Sequence, residues 1–356
     1  MFVSISWTTV VGTESLGITG QASVFESEEP MFESENVGLM WSWDRYPREH
    51  LDTYLVADIE DPRINCQSIL SRTLIADSLW PNEFTELIDA ELRFGVVLSW
   101  ILAQLHRGLS RHDLCESIDN NEDYACPQVV LETYQWLQSD QCPIPDYMSA
   151  ALERGNPDKP EQLLNERALN TFADLWNMTL CGRHAEKMRI LEPACGSAND
   201  YRFMEKSGLA EFITYTGIDI SSKNIANAKT RYPDADFRAV SVLDTGFEDS
   251  SFDIVFVHDL FEHLSLEALK MALSEVMRVT RSQAWLHFFN VKTCKNHVVR
   301  PVERYHWNTL SLERLVHSLT ELGGDVEVMS IPSFLVKKFG DYTYHNSKAV
   351  TLLVTK

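Results

Sequence analysis

The chain has 356 residues and a mass of 40.7 kDa, with 44% apolar and 23% charged residues, a profile that calls for a globular fold with a sizeable core. Disorder, collagen-like repeats and a disulfide miniprotein are excluded. Thirty-one Lys+Arg against 52 Asp+Glu give a formal net charge of −21, which argues against any function that depends on neutralising phosphates with a basic surface.

The charge is uneven. Residues 1–155 carry 26 acidic and 8 basic groups (−18), residues 156–356 carry 26 and 23 (−3), and the first lysine is Lys159. This step places a domain boundary near 155, between a mainly helical acidic cap over 1–155 and a second domain over 156–356. The acidic surface serves solubility, with attraction of a cationic substrate as the alternative. Seven scattered cysteines without a CxxC pair fit reduced thiols in a cytosolic protein better than a disulfide framework or a structural zinc site. The N-terminal MFVSISWTTVVG lacks a basic n-region, and the longest apolar stretch, Val96 to Ala103, is too short to span a membrane, so a soluble cytoplasmic location is expected.

In chain order, the first 40 residues are Ser/Glu-rich and read as a loose arm. Aromatic and helical segments begin at Trp41. A helix capped by Asn82 carries Phe84, Leu87, Ile88, Leu92, Val96 and Ile101 near helical spacing, and a second covers 128–138. The stretch 154–160 is a breaker-rich linker, after which Glu161 to Cys181 reads as one long amphipathic helix. Short apolar runs then appear at 188–191, 213–218, 253–257, 284–289, 326–331 and 349–354, with helical patterns between most of them. That alternation predicts βαβ units and a parallel sheet covered on both faces. The last two runs, with no clear helix between them, are placed as an antiparallel pair closing the sheet.

The densest signal is Arg189-Ile-Leu-Glu-Pro-Ala-Cys-Gly-Ser-Ala-Asn-Asp200, a small-residue turn between a strand and a helix, where a ligand can approach backbone N–H groups. The next strand ends in Asp219, 23 positions beyond Gly196, the spacing at which a carboxylate reaches ribose hydroxyls. One glycine beside Glu192 suits a cofactor without phosphates better than a dinucleotide.

On these residues, and on Phe237 to Asp244 and Ser251 to His263 in the same order, the region from about 160 to 356 resembles the class I S-adenosylmethionine-dependent methyltransferases. The resemblance implies a Rossmann-like, mostly parallel seven-stranded sheet. It implies that Glu192, Ala194, Cys195, Gly196 and Ser197 surround the methionine moiety, and that Asp219 and Ile220 hold the ribose and adenine. Val242, Leu243 and Asp244 fall at the adenine edge, with Ser241 as the alternative polar contact, and His258 lies near the sulfonium end. Only the central glycine of the family's three small-residue positions is kept, Ala194 and Ala198 taking the other two.

Because the sulfonium is already activated, catalysis needs in-line positioning and a base where the nucleophile carries a proton. His263 is a candidate base, against the plainer alternative of a histidine packed at a helix start. Asp259, Glu262 and His263 at i, i+3 and i+4 have metal-ligand spacing on a helical turn and resemble the Glu-x-x-Glu-His motif of certain O-methyltransferases; the reading without a metal is preferred. The segment 296–308 reads as a loop at the substrate edge and adds Tyr305 and His306 as catalytic candidates.

The expected function is methyl transfer to an O, N or S nucleophile of a small metabolite, giving S-adenosylhomocysteine. The alternatives are intramolecular cyclisation of the cofactor to azetidine-2-carboxylate with release of methylthioadenosine, a metal-dependent O-methyltransferase, and a non-catalytic binding protein. The expected partner is a small molecule, with neither nucleic acid nor membrane, and a homodimer is compatible with the sequence.

Overall fold

The computed structural model describes residues 66–81, 83–84, 176–302, 305–339 and 348–356, with single positions at 93, 108, 113, 131, 132 and 174. The arm over 1–40, the aromatic segment from Trp41 and the linker over 154–160 lie outside the described residues. So do most of the helices expected from Asn82, over 128–138 and over 161–181. The last of these is seen at its end, where Trp176 to Leu180 are helical with Trp176 and Leu180 buried.

Seven strands form the main sheet: β1 (Met188–Pro193), β2 (Ile213–Asp219), β3 (Asp236–Ala239), β4 (Phe252–His258), β5 (Thr280–Phe288), β6 (Asp325–Ser330) and β7 (Val350–Thr355). Their order is β6-β7-β5-β4-β1-β2-β3. The first five run parallel, and β7 pairs antiparallel with both β5 and β6. This is an open, mostly parallel, Rossmann-like sheet closed by one antiparallel strand. The central strands are apolar almost throughout, as a sheet covered on both faces requires: Ile190, Leu191, Ile218, Val255, Phe256, Val257, Ala284 and Leu286 are all fully buried.

Helices α1 (Cys66–Leu79), α2 (Asn199–Lys206), α3 (Ser222–Arg231), α4 (Leu266–Val279), α5 (Leu312–Glu321) and α6 (Ile331–Phe339) accompany the sheet. Serine caps start three of them: Ser221, Ser265 and Ser311 accept the N–H groups of Asn224, Ala268 and Arg314. Helix α4 buries Ala268, Leu269, Ala272, Leu273, Val276 and Met277, a stripe at i, i+4 and i+8 spacing that packs under β4 and β5.

Three expectations are corrected. A helix, α6, follows β6 where the sequence suggested only a loop. Phe261–His263 is a single 3-10 turn, so Asp259, Glu262 and His263 do not share one face of an α-helical turn; Asp259 before it has φ 48°, which breaks the helical path. The 296–308 segment is braced by short strand pairs rather than being plain loop, with Pro301–Val302 against Tyr305–His306 and a bridge from Val298 to Thr309.

Helix α1 was not marked by any sequence signal. It buries Ser71, Arg72 and Thr73 beside Leu70, Ile75 and Ala76, so polar and apolar positions share its inner side and no apolar stripe betrays it. It lies against α2, with the Arg72 guanidinium over the Trp176 and Phe203 rings and Nη1 donating to the Phe203 carbonyl. Beyond its end, Trp80 meets Phe84 and Phe212 edge-on, and Phe84 stacks on Trp176. No helix among the described residues is long and apolar enough to cross a membrane.

Candidate functional site

The sheet order places β1 and β4 side by side, with the chain continuing from them towards opposite edges. Open α/β sheets bind ligands in the crevice outside the carboxyl ends of such a strand pair. Glu192 and Pro193 end β1 and His258 ends β4, so the crevice is lined from the first residues after each strand.

The turn after β1 is tight. Ala194, Gly196 and Ala198 take φ 60°, 54° and 68°, so all three small-residue positions sit in the left-handed region although only one is glycine. A side chain there costs roughly 1–2 kcal/mol per residue. The turn is pinned from β2: Cys195 N–H donates to the Ile218 carbonyl at 3.0 Å, and Gly196 N–H donates to Asp219 Oδ2 at 3.0 Å. Asp219 Oδ1 accepts from Ser221 N–H at 2.7 Å and from Asn224 Nδ2 at 3.3 Å. The carboxylate thus joins the turn after β1 to the start of α3. Gly217 lies opposite Glu192 in the register, and a Cβ there would meet the Phe237 ring at 2.8 Å and Cys195 Sγ at 2.9 Å, so only glycine lets the turn close on β2.

Glu192 is fully buried and accepts a hydrogen bond from the Tyr215 hydroxyl. Burial, with Asp200 and Asp219 nearby, holds its carboxyl well above the usual range, so it keeps its proton until a cation arrives beside it. Ser197 is buried and committed to α3: Asn227 Nδ2 donates to its hydroxyl at 3.3 Å, and Arg231 Nη1 donates to its carbonyl at 3.1 Å. Ile220 is half-buried after β2. Val242 and Leu243 are half-buried in a turn closed by the Ser241–Asp244 bridge, and Asp244 is exposed at its end.

At the end of β4, four segments meet. Asp200 on α2 lies 2.8 Å from His258 Nδ1. His258 Nε2 is 2.8 Å from Ser71 Oγ of α1, and the same hydroxyl is 2.7 Å from His287 Nε2 on β5. His287 Nδ1 is 2.9 Å from Thr351 Oγ1 on β7. Burial and His258 push His287 well below the usual histidine range, so it is neutral. Three of these groups, Ser71, His287 and Thr351, are fully buried.

A second polar cluster lies beyond the 3-10 turn. Glu262 Oε1 accepts the backbone N–H of Phe289 and of Asn290, and burial raises its carboxyl to about 7. His263 Nδ1–H donates to the His306 carbonyl at 3.0 Å, and its ring is wedged against Phe289, Tyr305 and Trp307. Burial lowers His263 and His306 to about 4, so both imidazoles are neutral. Glu262 Oε2, His263 Nε2 and both His306 nitrogens are buried without hydrogen-bond partners. Asp259, Glu262 and His263 are not assembled as ligands, and no group of three His, Cys, Asp or Glu side chains suited to a metal ion occurs among the described residues.

Of the sequence candidates, then, Glu192, Ala194, Cys195, Gly196, Asp219 and His258 gather around one crevice, while His263, Tyr305 and His306 form a separate packed cluster. Asp200, Ser71 and His287 were missed. Asp200 stood in the glycine-turn motif without a distinguishing mark, and the other two meet His258 only in three dimensions.

The comparison with family models supports an enzyme of the S-adenosylmethionine-dependent transferase class, with that molecule as cosubstrate. Residues 191–288 match the family described as a methyltransferase domain. No curated protein matches the chain. Among solved structures it is similar to the 1,6-didemethyltoxoflavin-N1-methyltransferase of Burkholderia thailandensis, at 13% identity and a TM-score of 0.38, over 60% of this chain and 86% of that one. It is similar to a SAM-dependent methyltransferase from Methanosarcina mazei at 17% identity and 0.37, over 48% and 93%. It is also similar to the [4+2]-cyclase SpnF at 16% identity and 0.37, over 55% and 80%.

Proposed function

We propose that this protein transfers the methyl group of S-adenosylmethionine to an O, N or S nucleophile of a small metabolite, releasing S-adenosylhomocysteine. The observation that carries the reading is the Asp219 carboxylate, which ties the Gly196 turn to the end of β2 and so stands where the ribose of the cofactor would lie. Ile220, Val242, Leu243 and Asp244 would flank the adenine, and Glu192 with the Cys195–Gly196 turn would meet the methionine moiety. Once bound, the cofactor supplies an activated methyl group; the chain's own residues orient it, exclude water and take up a proton where the acceptor carries one.

The small-molecule reading is supported by α1, which packs on α2 and brings Ser71 against His258 at the end of β4. On this reading residues 1–155 are the cap and 156–356 the cofactor-binding domain. His263 acts as a packing bracket that fixes the 305–309 segment under the turn after β4.

The test is mass spectrometry of the purified protein with S-adenosylmethionine alone, and then with the small-molecule fraction of a cell extract. S-adenosylhomocysteine formed only with the extract is the expected result. Methylthioadenosine formed without any acceptor would overturn methyl transfer in favour of cyclisation.

A further inference from the structure

Ala198 holds φ 68° without being glycine, and it is fully buried at the point where α2 begins. A left-handed alanine persists only where its surroundings over-determine the backbone. Its methyl group makes no hydrogen bond, so the restraint has to come from the neighbouring peptide groups. On the far side, Arg202 N–H donates to the Ala198 carbonyl at 3.1 Å in the first turn of α2. On the near side, Ala198 N–H donates to the Cys195 carbonyl at 3.0 Å, and the Ser197 carbonyl accepts from Arg231 Nη1 at 3.1 Å. That carbonyl and the Ala198 N–H belong to one planar peptide group, and rotation of this plane about the N–Cα bond is φ of Ala198. Both polar ends of the plane are therefore held, one from within the turn and one from α3.

Arg231 is the last residue of α3 and shares one face of that helix with Asn224 and Asn227, at i, i+3 and i+7. Asn227 Nδ2 donates to the Ser197 hydroxyl, which donates to Asn224 Oδ1, each at 3.3 Å, and Asn224 Nδ2 reaches Asp219. The stripe thus runs from the carboxylate at the end of β2 to the peptide ahead of α2. Asn227 holds the Ser197 side chain. Arg231 makes a charge-assisted bond to the backbone, where it acts on φ directly.

We propose that Arg231 is a positioning residue for the cofactor turn. It pins the Ser197–Ala198 peptide, so that the turn stands in its left-handed course before the cofactor arrives, a task that a glycine at 198 would make unnecessary. The proposal rests on the reading of this crevice as the S-adenosylmethionine site. Glycine enters the left-handed region about as readily as the right-handed one, so a glycine turn keeps this course without a pin. Alanine, once released, relaxes towards negative φ, and the peptide groups of the turn rotate with it.

The test is a double-mutant cycle read by calorimetric binding of S-adenosylhomocysteine to the full chain: wild type, Arg231→Met, Ala198→Gly and the double variant. Methionine keeps much of the arginine stem and loses the donor. Arg231→Met is expected to weaken binding about tenfold in the wild-type background and no more than about threefold beside Ala198→Gly. Equal losses in the two backgrounds, or unchanged binding in Arg231→Met, would overturn the pin. A general loss of stability would follow Arg231→Met whatever stands at 198, and urea midpoints of the four proteins measure it separately. Should Arg231→Met fail to fold, Arg231→Gln, whose amide falls short of the Ser197 carbonyl, takes its place in the cycle with the same expected and overturning results. Wild-type protein that binds no S-adenosylhomocysteine overturns the cofactor reading and this inference with it, whereas wild-type binding with equal losses overturns the pin alone.

Discussion

His258 and His263 stand five residues apart after the same strand, yet the fold treats them in opposite ways. Both ring nitrogens of His258 are engaged, by a carboxylate and by a hydroxyl that leads on to a second histidine. His263 spends one nitrogen on a carbonyl and packs the other among Phe289, Tyr305 and Trp307. The difference arises from the chain between them. The positive φ of Asp259 and the short 3-10 turn swing the later residues away from the crevice and into the 305–309 segment. Proximity in sequence is therefore a poor guide to shared surroundings; the partner set decides.

The largest expected effect breaks the comparison directly. His258→Asn, which breaks the contacts from Asp200 to Ser71 beside the cofactor turn, should lower methyl transfer about tenfold or more, whereas His263→Asn should keep turnover within a few-fold and lose about 1–3 kcal/mol of stability from its buried hydrogen bond. Steady-state kinetics and urea midpoints of both variants measure it, and equal kinetic losses would remove the distinction.

The next concerns pH. Glu262 is raised from 4.5 to about 7, so the fold favours its protonated form, and stability from this group is present at low pH and lost as pH rises from 4.5 to 7. His263 is lowered from 6.5 to about 4, so the fold favours its neutral form, and stability is lost as pH falls from 6.5 to 4. Each shift corresponds to about 3 kcal/mol, and the two oppose each other across most of the same window. Glu262→Gln keeps the acceptor for Phe289 and Asn290 but removes the falling limb. Its unfolding free energy should climb more steeply between pH 4.5 and 6.5 than that of the wild type, by about 3 kcal/mol over the window. Parallel curves would show that Glu262 is ionised in the fold.

Smaller effects sharpen the picture of the crevice wall. Gly217→Ala forces a Cβ against the Phe237 ring and Cys195 Sγ and should cost about 1–3 kcal/mol, with weaker S-adenosylhomocysteine binding because the turn is displaced. Ala198→Gly relieves a left-handed alanine and should raise the thermal midpoint, a gain of up to about 1 kcal/mol after the glycine's extra unfolded-state entropy. A lower midpoint would mean that the buried alanine methyl contributes more than its backbone angle costs.

The sequence made the sheet legible because its central strands are buried on both faces and read as unbroken apolar runs; every strand of the main sheet but β3 coincides with one. It made the cofactor turn legible because Glu192, Gly196 and Asp219 are ordered along two consecutive strands at a spacing fixed by one βαβ unit. Helix α1 was illegible because Ser71, Arg72 and Thr73 are buried beside its apolar residues, which removes the periodic contrast. The polar cluster at the end of β4 was illegible for a related reason: Ser71, Asp200, His258, His287 and Thr351 come from five separate elements, and no local pattern connects a serine in one helix to histidines on two strands.

The bond from Ser71 to His287 spans 216 positions of the chain. At about 5–20 residues per second, a ribosome would complete β5 roughly 10–40 s after Ser71 has been joined to the nascent chain, and β7 later still. Through that interval α1 has neither the strands that bury it nor the partners its polar side chains require. Contacts of such long range carry a large loop-closure entropy and form late. The polar cluster that joins α1 to β4 and β5 should thus be among the last parts of the molecule to mature during synthesis.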